Sequence, residues 1–426
     1  MTWPELPLKA LAREPITNGL GLPGEHNDPE WPRYIRTTDI ANSTSLRTDV
    51  FVSQPPEVAA RARVARGDIL MTAAGATIGK SVLITEQIDA CYAGFLVKFS
   101  ANSDADSRFI SYWTQSSPYW AQIEQGAVRS TIDNFSAGRY RELRLQVPPL
   151  EEQRRIADFL DDQVGRIDQA IEWKKAELAV LQEFNSAQCE SFMHAVGERV
   201  PLKYLTSKIG SGKTPRGGAD VYVSSGVIFL RSQNVRDSEL DLRDVVYIDS
   251  VADEEMAHTR VRGGDVLLNI TGGSLGRVTV APKDLGAANV SQHVCIIRPK
   301  DSHLSELIAA SLRTPAVRSQ IDTLQVGGNR EGLNFEQVGN LIVCVPSENV
   351  SLALESLANL QKSFEQVSTE LSASISLCEE RKRSLITAAV TGQLEINSAR
   401  PLTGPWVSTN LGSAIEQSAM ATGVAL

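Results

Sequence analysis

The sequence predicts an α/β protein in which two similar modules are separated by a pair of long helices. Three observations carry that expectation. The chain repeats itself: RGDILMTAAGATIGK, from Arg66 to Lys80, returns as GGDVLLNITGGSLGR, from Gly263 to Arg277, and YIRTTDI, from Tyr34, returns as FLRSQNV, from Phe229. Short β-type runs bounded by Gly, Asp and Asn fill both copies. After each copy comes an apolar stripe with helical spacing. A chain duplicated at the scale of a domain carries two similar units, and so engages two similar things.

Each element follows from its local pattern. In the first copy IRTTDI, DILMTA, SVLIT and FLVKFS read as strands; in the second VIFLRS, DVLLNIT, RVTVA and HVCIIRP do. One helical stretch per copy, around Arg108–Gln125 and Ser305–Leu324, precedes a Gly-bearing turn at Gly126 and at Gly327-Gly328. An Asn-Phe pair follows, Asn134-Phe135 matched with Asn334-Phe335, and then a Val-Pro at Val147-Pro148 and Val345-Pro346. Beyond the first Val-Pro, Leu160, Val164, Ile167, Ile171, Leu178 and Leu181 form a stripe. Beyond the second, Leu357, Phe364, Leu371, Cys378 and Leu385 repeat every seven residues, joined by Leu360 and Val367. That alternation is the seam of a coiled coil, and a lone apolar stripe needs a partner, so the two helices are expected to pack on each other. Ile167, Ile171, Leu178, Phe364 and Leu371 are expected between them. The resulting organisation is a first module over 1–150, a spacer helix over 151–197, a second module over 198–346, a second spacer helix over 347–396, and a weakly ordered tail over 397–426.

Composition narrows the class. The formal net charge is −9, but its distribution matters more. Residues 1–150 carry 15 Lys+Arg against 16 Asp+Glu, and residues 198–346 carry 17 against 17. The helix at 151–197 holds 5 against 10. The modules are therefore neutral and rich in arginine, while the acid sits on the helices. A neutral module can still present one basic face, although phosphate neutralisation by this chain alone would be weak. No secretory signal and no apolar run of ~18 residues is visible. The five cysteines (Cys91, Cys189, Cys295, Cys344, Cys378) never fall in C-x-x-C spacing. Reduced thiols and a cytoplasmic location are expected, with no membrane partner.

Catalytic patterns are missing or false. GATIGKS, Gly75 to Ser81, has three residues between its glycines where a phosphate loop has four, and its repeat copy GGSLGR lacks the Lys-Ser. GSGKT, Gly210 to Thr214, runs straight into Pro215, where a phosphate loop opens a helix. No H-E-x-x-H, no G-x-S-x-G and no Asn/Asp-Pro-Pro-aromatic string occurs. A phosphate-loop NTPase and a coiled-coil protein scaffold are the alternatives to a nucleic-acid binder.

At this point the residues resemble the DNA-specificity subunit of type I restriction–modification systems. VPPLEEQRRIADFLD (Val147 to Asp161), RKRSLITAAVTGQLE (Arg381 to Glu395), the GDIL/GDVL strings with their following Gly turn, and IGSGKTP (Ile209 to Pro215) carry the resemblance. The second junction, VPSENVSLALESL from Val345, departs by lacking the Glu-Gln-Arg-Arg run. The resemblance implies two target-recognition domains separated by an antiparallel helix pair, related by a pseudo-twofold, each reading one half of a split asymmetric double-stranded DNA site. It implies a non-catalytic chain with no cofactor of its own. S-adenosylmethionine would be bound by two modification (methyltransferase) subunits, and ATP with magnesium by restriction subunits. Base-edge or phosphate contacts are expected from Arg33, Arg36, Thr37, Lys80, Arg129 and Ser130 in the first module. In the second, Lys213, Arg216, Arg231, Gln233, Asn234, Arg277, Asn329 and Arg330 are expected. The partner subunits are expected to dock near Glu151, Glu152, Arg154 and Arg155.

Overall fold

The computed structural model describes residues 3–126, 134–237, 239–325, 332–346 and 348–396. Two compact units emerge: residues up to Ile171 together with those from Leu377 onward, and Glu172–Ser376.

The first unit is built on a four-stranded antiparallel sheet in the order Thr17–Asn18, Leu96–Ser100, Asp68–Thr72, Ser81–Leu83. All five residues of Asp68–Thr72 are buried, because the strand is covered on both faces. Ile69 and Met71 face one core with Phe109, Trp113, Tyr119 and Tyr140; Leu70 faces another with Tyr34, Ile35 and Val82. That is why the sequence reads DILM without a polar alternation. A second sheet pairs Arg33–Ile35 parallel to Ala90–Tyr92, with Arg63–Val64 on the other edge. The expected helical stretch is two helices, Ser107–Trp113 and Ser117–Gly126. Pro118 lies in the first turn of the second helix, where proline is tolerated because its missing amide has no intrahelical partner to lose, and it could not sit inside one continuous helix without breaking it.

The second unit repeats the plan. Its main sheet runs Thr206–Ser211, Val294–Pro299, Val266–Asn269, Val278–Val280, and its helices are Ser305–Arg313 and Pro315–Gln325. The small sheet differs at one edge, where Val246–Ile248 pairs with the outer side of Val227–Leu230. The register also corrects one sequence match. Ala74 bridges to Asn134 and Thr271 to Gly332, and Phe135 and Leu333 donate to the carbonyls of Ala73 and Ile270. Asn134-Phe135 is therefore equivalent to Gly332-Leu333, not to Asn334-Phe335. Asn334 instead caps the helix Phe335–Asn340, accepting from the Gln337 amide.

The central helix spans Leu150–Val196 and the distal helix Val350–Val390. At 1.5 Å per residue they reach ~70 and ~60 Å. In the first unit Ile156, Leu160 and Val164 of the central helix share one core with Ile386, Ala389 and Val390 of the distal helix. Each of the Ile, Leu and Val side chains contributes ~1.5–3 kcal/mol on burial. In the second unit Met193, Ala353 and Leu357 join the module core. The expected seam is only partly sealed. Ile167 and Ile171 are buried, but Leu178, Phe364 and Leu371 are half-buried and Val367 is exposed. Two helices cover each other from one side only, and away from a module no other described element covers the flanks. The distal helix closes on Gly392 at φ +71°, a left-handed stop, with the amides of Gln393 and Leu394 returning to the Ala388 carbonyl.

Candidate nucleic-acid interface

Two turns in each module come together. In the first, the strand Arg33–Ile35 ends in a one-turn helix, Thr37–Asp39. Asp39 is buried and accepts from the Arg36 amide at 2.8 Å, while Arg36 Nε and Nη2 reach the same carboxylate at 3.2 and 2.9 Å. This hydrogen bonding raises the Arg36 pKa and locks the side chain over the turn. The second turn follows the strand Asp68–Thr72 and depends on Gly75 and Gly79, at φ +86° and +85°. Lys80, at its end, donates from Nζ to the Ile40 carbonyl at 2.8 Å and so ties the two turns together. Arg33 donates from Nη2 to the Arg47 carbonyl, and Thr37, next to Arg36 in sequence, is half-buried.

The second module rebuilds this with other side chains. Arg231 donates through its amide to Asn234 Oδ1 at 2.9 Å, and Asn234 Nδ2 donates to the carbonyls of Asp241 and Asp244, both at 3.0 Å. Asn234 is buried with its amide fully used. The expectation that it reads a base edge is corrected: it holds the turn, as Asp39 does in the first module. Arg231 Nη2 donates to the Asp244 carbonyl at 3.1 Å, and Gln233 Nε2 to the Asp244 carboxylate at 2.6 Å. Asn269 Nδ2 donates to the Ser232 carbonyl at 2.8 Å, linking this turn to the base of the glycine turn at Gly272 and Gly276.

Lys213 and Arg277 carry no ion pair among the described residues; Arg216 is exposed and 3.9 Å from Glu255. Several other arginines of both modules are paired with acids, some of them close in sequence, including Arg47 with Asp49 and Arg243 with Asp241. Arg129, Ser130, Asn329 and Arg330 lie outside the described residues, as does the tail.

The false phosphate loops are explained by backbone geometry. A Cβ on Gly212 would sit 1.6 Å from the Val290 carbonyl oxygen, and one on Gly19, its first-module counterpart, 2.1 Å from that of Tyr92. Gly212 is there for close strand approach, and Lys213 leaves the sheet edge rather than entering a helix. Gly75 to Ser81 likewise leads into the strand Ser81–Leu83.

Sequence reasoning missed one equivalent pair. Ala73 donates to the Phe95 carbonyl and Ile270 to the His293 carbonyl, so Phe95 and His293 hold the same place beside the glycine turn. Phe95 is 66% exposed. His293 Nδ1 lies 2.6 Å from Thr271 Oγ1, and neighbouring Gln292 accepts from Thr214 Oγ1 at 2.9 Å. The only sequence signal is a large aromatic between Gly94 and a buried strand.

At the first junction the run from Glu151 to Arg155 splits in role. Glu151, Arg154 and Arg155 are exposed, and Arg155 pairs with half-buried Glu152. Gln153, unforeseen, is buried; it accepts from the Asp106 amide and donates to the carbonyls of Asp104 and Pro148, each at 2.9 Å. At the second junction Asn349 stands at φ +53°, immediately before the helix.

Among the described residues no helix is long and apolar enough to cross a membrane, and no three His, Cys, Asp or Glu side chains are grouped to hold a metal.

Comparison with known proteins finds relatives. Residues 27–182 match the type I restriction modification DNA specificity domain. The EcoKI specificity subunit of Escherichia coli K12 is 20% identical over 390 residues, covering 84% of this chain and 82% of that protein. The EcoBI specificity subunit of Escherichia coli is 19% identical over 303 residues, covering 65% and 64%. A solved chain from work on complex assembly and conformational transition of the type I R-M system superposes with a TM-score of 0.64 at 16% identity, over 92% of this chain and 98% of that one; it shares the fold. Residues 27–182 thus carry the type I restriction modification DNA specificity domain, and over most of its length the chain is similar to specificity subunits of type I restriction–modification systems.

Proposed function

We propose that each module reads one half of a split, asymmetric double-stranded DNA site, and that the helix pair fixes the gap between the halves. The observation that carries this reading is the repetition, in both modules, of an arginine-bearing turn tied to a glycine turn. Lys80, Lys213, Arg216 and Arg277 supply cations at that surface; Arg33, Arg36, Thr37, Arg231 and Gln233 supply shaped donors. Phosphate contacts set the register and base-edge contacts the sequence. In this reading the helices recruit two modification subunits, which bring S-adenosylmethionine and methylate adenine. Restriction subunits with ATP and magnesium join the same assembly. The near balance of charge within each module agrees with a chain whose affinity for DNA is completed by partners.

The test is a module exchange. Replacing residues 1–150 by the equivalent module of another specificity subunit is expected to change one half of the methylated site and leave the other half as it was. Loss of all sequence preference, or no change in either half, would overturn the two-reader model. Methylation-sensitive sequencing reads both halves at once.

A further inference from the structure

The helix Ser305–Arg313 ends on an arginine where its counterpart, Ser107–Trp113, ends on a tryptophan. The next residue anchors the equivalence: Thr114 Oγ1 donates to the Ser111 carbonyl and Thr314 Oγ1 to the Ser311 carbonyl, each at 2.7 Å. Trp113 is buried and packs edge-on against Tyr119 at 5.1 Å. The fold therefore accepts an apolar side chain at this place, and the guanidinium of Arg313 is not needed to build the module.

Arg313 is poorly served by its surroundings. Among the described residues no carboxylate lies within ion-pair distance of it, and its Nη1 makes only a long contact, 3.5 Å, to the Val278 carbonyl. Burial pulls its pKa down, against the opposing pull of Glu306 and Asp237. Asp237 is already committed to Arg318 at 2.9 Å. A half-buried cation with no acid in ion-pair contact is costly, and is tolerated where something supplies that charge.

The space for a counter-charge is present. Arg313 opens on a cavity of about 660 Å³, within the range of small-molecule sites. Asn185 and Cys189 of the central helix and Gln361 and Phe364 of the distal helix share its wall with Arg313 and Arg318. The amides can donate or accept, and Phe364 offers a flat apolar side. Asp237, paired with Arg318, and Glu239 and Glu365 also reach the wall, which disfavours a polyanion such as a DNA backbone and leaves room for one small anion at Arg313.

We propose that this cavity is an anion site belonging to the second module alone, which takes a small solute carrying a phosphate or carboxylate group, with Arg313 as its charge partner. The site goes beyond DNA reading and does not depend on it.

The test uses the full chain and two probes, inorganic phosphate and citrate, each titrated against sodium chloride at matched ionic strength. Calorimetry and the thermal midpoint are both followed. Saturable binding with a raised midpoint is expected for phosphate, citrate or both, and the probe that responds identifies the ligand chemistry. Arg313→Met, and Arg313→Trp to restore the first module's residue, are expected to fold and to lose at least tenfold in affinity. No binding beyond the chloride control, or an unchanged response in Arg313→Met, overturns the site. Should both variants fail to fold, the wild-type chain still decides. Alkylation of Cys189, mapped by mass spectrometry, must slow in the presence of the bound anion; an unchanged rate rejects the proposal.

Discussion

Lys382 on the distal helix donates to both carboxylate oxygens of Asp168 on the central helix, at 2.6 and 2.8 Å, across 214 residues of sequence. The pair fixes the register of the two helices in the first unit, beside buried Ile167 and Ile171. Both side chains keep some exposure, so the coupling is modest. A double-mutant cycle on Lys382→Met and Asp168→Asn is expected to give ~0.5–1 kcal/mol at low salt, shrinking as salt is raised. A coupling near zero at all salt concentrations would leave the apolar seam as the sole determinant of register.

Gly212 and Gly75 make opposite predictions about the two decoy loops. Alanine at 212 would drive Cβ into the Val290 carbonyl oxygen, so the sheet edge must shift, at a cost of ~3 kcal/mol or more. Alanine at 75 meets nothing within 4 Å and suffers only its left-handed backbone, ~1–2 kcal/mol. Thermal midpoints of the two variants check the order. A mild Gly212→Ala with nucleotide-dependent stabilisation would revive the phosphate-loop reading.

Much of this fold was legible in the residues. The Asp-Ile-Leu-Met and Asp-Val-Leu-Leu runs mark strands buried on both faces, and the repeat made two modules visible without any structure. What was not legible depends on pairing over distance. Nothing in Asn234 itself says that its amide is used up by Asp241 and Asp244, because those carbonyls arrive only as the following loop folds back, 7 and 10 residues on. The Asn-Phe match failed for the same reason: register is set by the bridges of Ala74 and Thr271, while sequence similarity favoured a shift of two. Phe95 and His293 share a position but no chemistry, so no repeat search links them.

Those two residues separate reading from folding. Phe95 is exposed, so Phe95→Ala is expected to leave the thermal midpoint nearly unchanged while weakening cognate DNA by ~1–3 kcal/mol. Lys213→Ala and Arg277→Ala are expected to weaken cognate and random DNA together if they meet phosphate, and cognate DNA alone if they meet a base. Competition binding at fixed salt in the assembled complex distinguishes these outcomes. A Phe95→Ala variant that binds cognate DNA like wild type would place that turn away from the duplex.

Two buried thiols tie stability to alkaline pH. Burial raises Cys91 to about 11 and Cys295 to about 12, from an ordinary value of 9.0. A thiol whose folded pKa lies above its unfolded one contributes stability that is complete below about 9 and is lost as pH climbs toward the folded value. Within that window each thiol adds ~1.4 kcal/mol per pH unit to the fall in unfolding free energy. Urea titrations from pH 8.5 upward should show a shallower fall for Cys295→Ala than for wild type. Equal slopes would mean that the thiol meets solvent in the folded chain.

The two junctions predict unequal docking of the partner subunits. Near Leu150 the exposed Glu151, Arg154 and Arg155 stand on a helix start that Gln153 clamps to the carbonyls of Asp104 and Pro148. A clamped helix start holds the backbone that carries these charges, and less ordering remains to oppose binding. Near Val350 the corresponding start carries Asn349 in a left-handed turn, and the sequence has no Glu-Gln-Arg-Arg run to present. The repeat still offers two similar helical surfaces, so two identical partners are expected, the first bound more tightly than the second. Native mass spectrometry across a titration with modification subunit should show a one-partner species before the two-partner one. Arg154→Ala with Arg155→Ala should weaken the first step and spare the second. A direct jump to two partners, or saturation at one, would falsify the unequal-site reading, and so would a double variant that weakens both steps alike.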